Sequence, residues 1–152
     1  MEPRVNYWSV APDLMRAFVT LNTKIEAAGL EKSLVHLVKL RASQMNGCAF
    51  CVDMHTREAR ADGETEQRLY LTSAWEDSFL FSARERAALA WTEAVTRLGD
   101  HGPSDALYAE LREVFTEEEA VALTAVVTMI NTWNRLSIAF RAVHAAPDAA
   151  AA

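Results

Sequence analysis

Cysteine is scarce in this 152-residue chain, and both copies, Cys48 and Cys51, fall in the stretch Leu37 to Gly63. Two cysteines that close are read as catalytic or metal-binding rather than as a structural staple. Glycine and proline are also sparse, at five and four, as in an ordinary soluble globular protein. Basic residues are outnumbered, 15 against 21, for a net charge of −6 and a pI near 5.2. That balance argues against nucleic acid or an anionic membrane surface as a partner. No apolar run is long enough to span a bilayer, and the opening MEPRVNYWSVAPD lacks the pattern of a signal peptide. A cytoplasmic location is therefore expected. Period-two alternation and internal repeats are absent as well, which leaves an all-α fold.

Two cofactor readings of the cysteines weaken for want of residues. Attachment of a c-type haem needs histidine directly after the second cysteine, where Val52 stands. Structural zinc needs further ligands, and no second cluster accompanies the pair among the four histidines, His36, His55, His101 and His144. No cofactor and no metal are expected. A pair of buried, inert thiols remains the plain alternative.

What is present is a dithiol beside a proton carrier. Gly47 breaks one helical pattern, and the run Cys48 to Asp62 resumes another, closed by Gly63 in the position of a left-handed cap. The Cys-x-x-Cys therefore opens a helix, where unsatisfied N–H groups and the helix dipole favour a thiolate. Cys48, Cys51 and His55 fall at i, i+3 and i+7 on one face, with His55 one turn beyond Cys51 as its base. Which sulfur is the nucleophile stays open: the helix terminus favours Cys48 as the more exposed thiol, and the neighbouring base favours Cys51. His36 lies on the preceding helix, on a face that runs through Ser43 toward the cysteines. There it either relays protons or simply packs between helices.

The rest reads as helical scaffold in a single domain, residues 1–145, with a disordered tail at 146–152. A core-facing helix opens at Pro12 and Asp13 and carries Leu14, Phe18, Leu21 and Ile25, with Gly29 as its stop. A second spans about Glu31 to Met45, and the cysteine helix follows. A short helix is predicted from Glu66 to about Trp75. Ser82 and Glu85 form a capping box for the next, with Trp91 and Leu98 on its buried stripe and Gly99 as its stop. His101 falls in an exposed turn, and another helix spans about Asp105 to Phe115. Thr116 and Glu119 cap the longest, which runs to about Val143 and is apolar nearly all round except at Asn131, Asn134 and Arg135. These polar residues are assigned structural hydrogen bonds between helices in preference to chemistry.

The block LVKLRASQMNGCAFCVDMHTREARADGETEQRLYLTSAW, continuing to ERAALAWTEAVTRL and INTWNR, closely resembles the carboxymuconolactone decarboxylase superfamily, in its alkylhydroperoxidase D (AhpD)-like branch. The resemblance implies an AhpD-like fold of about six to seven helices, assembled into a dimer, trimer or hexamer. It also implies a thiol-dependent hydroperoxide reductase. Its partners are a small hydroperoxide and a dithiol reductant, in the family a lipoyl-type protein. Carried over residue by residue, Cys51 is the peroxidatic cysteine, Cys48 the resolving one, and His55 the proton relay. One departure stands out: the family places a glutamate twelve residues before the first cysteine, where this chain has His36. Two other functions are compatible with such a fold. The namesake decarboxylation is cofactor-free and has no use for a dithiol, and a non-catalytic oligomer can sense oxidants through its disulfide.

Overall fold

The computed structural model describes residues 2–144. Its helices run in the order α1 Tyr7–Val10, α2 Pro12–Glu26, α3 Lys32–Asn46, α4 Ala49–Ala61, α5 Glu66–Leu71, a 3-10 helix Thr72–Asp77, α6 Ala83–Thr96, α7 Asp105–Arg112 and α8 Glu117–Phe140. Among the described residues there is no strand, and the expected all-α fold is observed. The count exceeds the six to seven expected because α1 and the 3-10 helix are short and carry no long periodic pattern.

The centre of the fold is α3, which packs against α4, α6 and α8. Its sequence is apolar at Leu34, Val35, Leu37, Val38, Leu40 and Ala42, so most of its circumference is buried. The helix ends at Gly47, which sits at φ 67°, a left-handed conformation that strains any residue with a Cβ. The Cys48 N–H then donates back to the Ser43 carbonyl at 3.0 Å. That bond turns the chain sharply and delivers Cys48 as the N-cap of α4.

The largest apolar cluster joins α3, α6, α7 and α8 through residues such as Leu34, Val38, Trp91, Phe115, Leu123 and Val127. Each such side chain contributes about 1.5–3 kcal/mol when fully buried. Both predicted capping boxes form, Ser82 with Glu85 and Thr116 with Glu119. Arg84 ties these ends together by pairing with Glu31 and Glu119 while its guanidinium lies 3.9 Å from the Phe115 ring centroid. Trp91 is core as expected, its indole N–H donating to Thr124 Oγ1 at 2.9 Å.

Four local expectations change. In α2 the buried position is Met15, whereas Leu14 and Leu21 are 55% and 49% exposed. The helix is turned so that Phe18 meets the ring of Trp133 and Asn22 accepts from its indole, which faces Leu14 and Leu21 outward. Leu98 is exposed because α6 ends at Thr96, before Gly99. The segment to Trp75 is split, continuing past Leu71 as a 3-10 helix. α7 and α8 stop at Arg112 and Phe140, each three residues short of the expected end, the latter with Arg141 in the left-handed region. The expected tail at 146–152 lies outside the described residues.

Candidate active site

Both sulfurs are free thiols at the start of α4. Cys48 caps the helix: its Sγ accepts the Cys51 N–H at 3.4 Å. The expectation that Cys48 is the more exposed is corrected, since both are buried, at 2% and 1%. The reason is α8, which packs over the turn and brings Asn134 and Ser137 to the pair.

The two thiols differ in their hydrogen-bond roles. The Cys51 sulfur draws a bond from Cys48, and despite burial further bonds with Asn134 and Ser137 bring its pKa down to about 7. A group that is hydrogen-bonded in its charged form ionises more readily. Cys48 moves the other way, pushed up by its bond to Cys51 and by burial. Of the two, Cys51 is the sulfur whose surroundings favour the thiolate, and Cys48 the one whose surroundings disfavour it.

Cys51 lines a cavity of about 730 Å³ enclosed by α1, α2, α3, α4 and α8; among the described residues Cys48 is not part of that lining. Phe50, Met54, Trp8, Trp133 and Val35 supply apolar walls. Trp8 stacks on Trp133 with ring centroids 5.8 Å apart. The short α1 is tied down over this wall by Arg4, whose N–H donates to the Phe140 carbonyl at 3.0 Å.

The polar wall holds both predicted histidines. His55 is 4% exposed, with Nδ1 2.9 Å from Glu58 Oε2. His36 is 7% exposed, with Nε2 2.6 Å from Asp62 Oδ2. Carboxylates at neutral pH only accept, so the nitrogen facing each carboxylate carries the hydrogen. The other ring nitrogens, His55 Nε2 and His36 Nδ1, are buried without a protein partner. Native proteins seldom leave such atoms unpaired outside functional sites.

The structure thus brings Cys51, His55 and His36 to one cavity, while Cys48 sits behind Cys51. His36 pairs with Asp62, which is also held by Lys32 Nζ at 2.7 Å. Glu58, Asp62, Ser137 and Trp133 were missed from the sequence. A signal existed for the first two: Cys51, His55, Glu58 and Asp62 fall at i, i+4, i+7 and i+11, one face of α4. Ser137 and Trp133 arrive from α8, with no local pattern to announce them. Asn134 has both of the roles weighed. It accepts from Asn46 Nδ2 at 2.8 Å and donates to Ser43 Oγ at 3.0 Å, joining α3 to α8, and it also bonds Cys51.

Among the described residues, no group of three or more metal-ligating side chains is arranged to hold an ion, and no helix is long and apolar enough to cross a membrane.

The carboxymuconolactone decarboxylase family model matches residues 12–94. The chain is 42% identical over 139 residues to the uncharacterised protein YdfG of Bacillus subtilis, covering 91% of this chain and 95% of that one. A protein of unknown function from Agrobacterium tumefaciens, described as a candidate antioxidant defence protein AhpD, superposes with a TM-score of 0.92 at 43% identity, over 95% of this chain and 99% of the other. The AhpD core of an uncharacterised peroxidase-related protein from Ralstonia eutropha JMP134 shares the fold, with a TM-score of 0.81 at 22% identity over 91% and 74% of the two chains.

Proposed function

The chain belongs to the carboxymuconolactone decarboxylase family, in its AhpD-like branch, and from that premise we propose that it is a thiol peroxidase reducing organic hydroperoxides at Cys51. The observation that carries this reading is the buried Cys51 sulfur, low in pKa, on the wall of a cavity it shares with a histidine that has a free ring nitrogen.

His55 takes the Cys51 proton on Nε2, and the thiolate attacks the outer peroxide oxygen. An S–O bond forms and the O–O bond breaks. Its electron pair leaves on the alkoxide, which recovers the proton from His55 and departs as an alcohol. Sulfur has been oxidised by two electrons to a sulfenic acid. Cys48 then attacks the Cys51 sulfur: the S–S bond forms, the S–O bond breaks, and hydroxide leaves with the Cys48 proton as water. A dithiol donor, lipoyl-type in the family pattern, reduces the disulfide by exchange. His36 joins the proton traffic from the second histidine–carboxylate pair.

A homo-oligomer fits the exposed Leu14, Leu21 and Val121 on α2 and α8, the last 71% exposed. A cytoplasmic setting supplies the reducing power that turnover needs.

The test is stoichiometric. Reduced protein titrated with cumene hydroperoxide loses both thiols, one per cysteine. Cys51→Ser stops the reaction, Cys48→Ser halts it at a sulfenic acid trapped by dimedone, and His55→Ala slows it about 100-fold. Unchanged thiols with the peroxide intact would sink the reading.

A further inference from the structure

His55 shares the cavity with Cys51 and can act there as a base only with Nε2 unprotonated, and a free imidazole has no reason to hold that tautomer. The structure supplies a reason on the same helix. Glu58 stands one turn beyond His55, its Oε2 2.9 Å from Nδ1, and pins the ring hydrogen on that nitrogen. The other nitrogen is then left bare and buried. His36 cannot do this work, because the ring nitrogen it uses is committed to Asp62 and its other nitrogen has no partner. Nor can Lys39, which is paired with Glu26 and lacks an acceptor when charged. α8 brings Trp133 and Ser137 to the cavity, neither of them charged.

We propose that Glu58 is the positioning residue of the site: it fixes the Nδ1–H tautomer of His55 and faces the positive charge that the ring acquires when it holds the Cys51 proton. The inference rests on the thiol-peroxidase reading for its consequence and on geometry for its assignment. Glu58 lines the same cavity, and the part assigned to it is that of a positioning residue. It acts through His55, as a carboxylate behind a catalytic histidine does in hydrolases.

The Glu58 side chain is 49% exposed, so its replacement leaves the core intact. Two variants separate its two effects. Glu58→Ala removes both acceptor and charge, and Glu58→Gln keeps an acceptor oxygen and removes the charge. The ¹⁵N chemical shifts of the His55 ring, read on the neutral side chain of the reduced full-length protein, report the tautomer. The rate of thiol loss with cumene hydroperoxide reports the consequence.

In the native protein His55 reads as Nδ1–H. Glu58→Ala moves it toward Nε2–H and slows thiol oxidation about 100-fold, whereas Glu58→Gln keeps the tautomer and loses about tenfold. An Nε2–H tautomer in the native protein, a ring signature unmoved by Glu58→Ala, or a Glu58→Ala rate within about twofold of native would each overturn the proposal. Native protein that ignores the peroxide would remove the peroxidase reading and the catalytic consequence with it, while the ring spectra still decide whether Glu58 sets the tautomer.

Discussion

α3 has two sides, and they are built on opposite rules. Toward α6, α7 and α8 it presents Leu34 and Val38 to a continuous apolar cluster, and the indole of Trp91 there finds a hydroxyl partner. Toward the cavity it presents His36 and Lys39, and that cavity holds two ring nitrogens with none. A buried polar atom without a partner costs about 1–3 kcal/mol. The first side therefore carries the fold, and the second tolerates a loss of stability where a reacting molecule can later supply the missing contact.

The largest effect on stability is expected on the first side. Leu123 is fully buried at the centre of the cluster, and Leu123→Ala is expected to cost about 2–5 kcal/mol by denaturant unfolding. The rate of thiol oxidation per folded molecule is expected to stay native. A large fall in that rate would show that the two sides are not separable.

Asn134 sits where the sides meet and should break both. Asn134→Ala leaves Asn46 and Ser43 short of a partner, a loss of about 1–3 kcal/mol. It also removes one of the bonds that bring Cys51 down to about 7. Thiolate ultraviolet absorbance against pH should then show Cys51 ionising at higher pH. A lost stability with an unmoved thiol would make Asn134 a strut alone.

Acid sharpens the comparison with a smaller effect. Arg84 holds Glu31 and Glu119 below their ordinary range through its hydrogen bonds, and His55 does the same to Glu58. Depressed carboxylates contribute stability that is fully present above their unfolded value of 4.5 and is lost as pH falls through the lower folded values. Unfolding midpoints should therefore hold down to about pH 5 and decline below it. The decline should be modest and weaker in high salt, because these pairs are partly exposed. A midpoint that rises on acidification would contradict the assignment.

How much of this was legible in the sequence follows the same division. The dithiol helix was readable to within a residue because Gly47 and Gly63 mark its ends, and the starts of α6 and α8 because their capping boxes are local signals. The orientation of α2 was not, because Leu14 and Met15 are equally apolar and only the ring of Trp133, more than a hundred positions away, decides which of them turns inward. His55 was readable from its spacing to Cys51, and Glu58 and Asp62 continue the same stripe but carry charges that look like a solvated face. Ser137 and Asn134 reach the thiols only through tertiary packing. His36 was visible as a departure, but its partner Asp62 was not.

The smallest effect on stability is expected at that histidine, and it tests the comparison most directly. His36→Leu removes the unpartnered Nδ1 and places an apolar side chain beside Val35 and Leu30 on the cavity wall. It also gives up the bond to Asp62, which keeps Lys32 and is partly solvated. The two changes oppose each other, and the net is expected within about 1 kcal/mol of native. Truncation of Leu123 to alanine costs several times more, although both positions are buried. If His36 were simply part of the packed core, its replacement would cost as much as Leu123→Ala, and the unfolding curves of the two variants would coincide. If it belongs to the chemical side, the His36→Leu curve should overlay native while thiol oxidation slows.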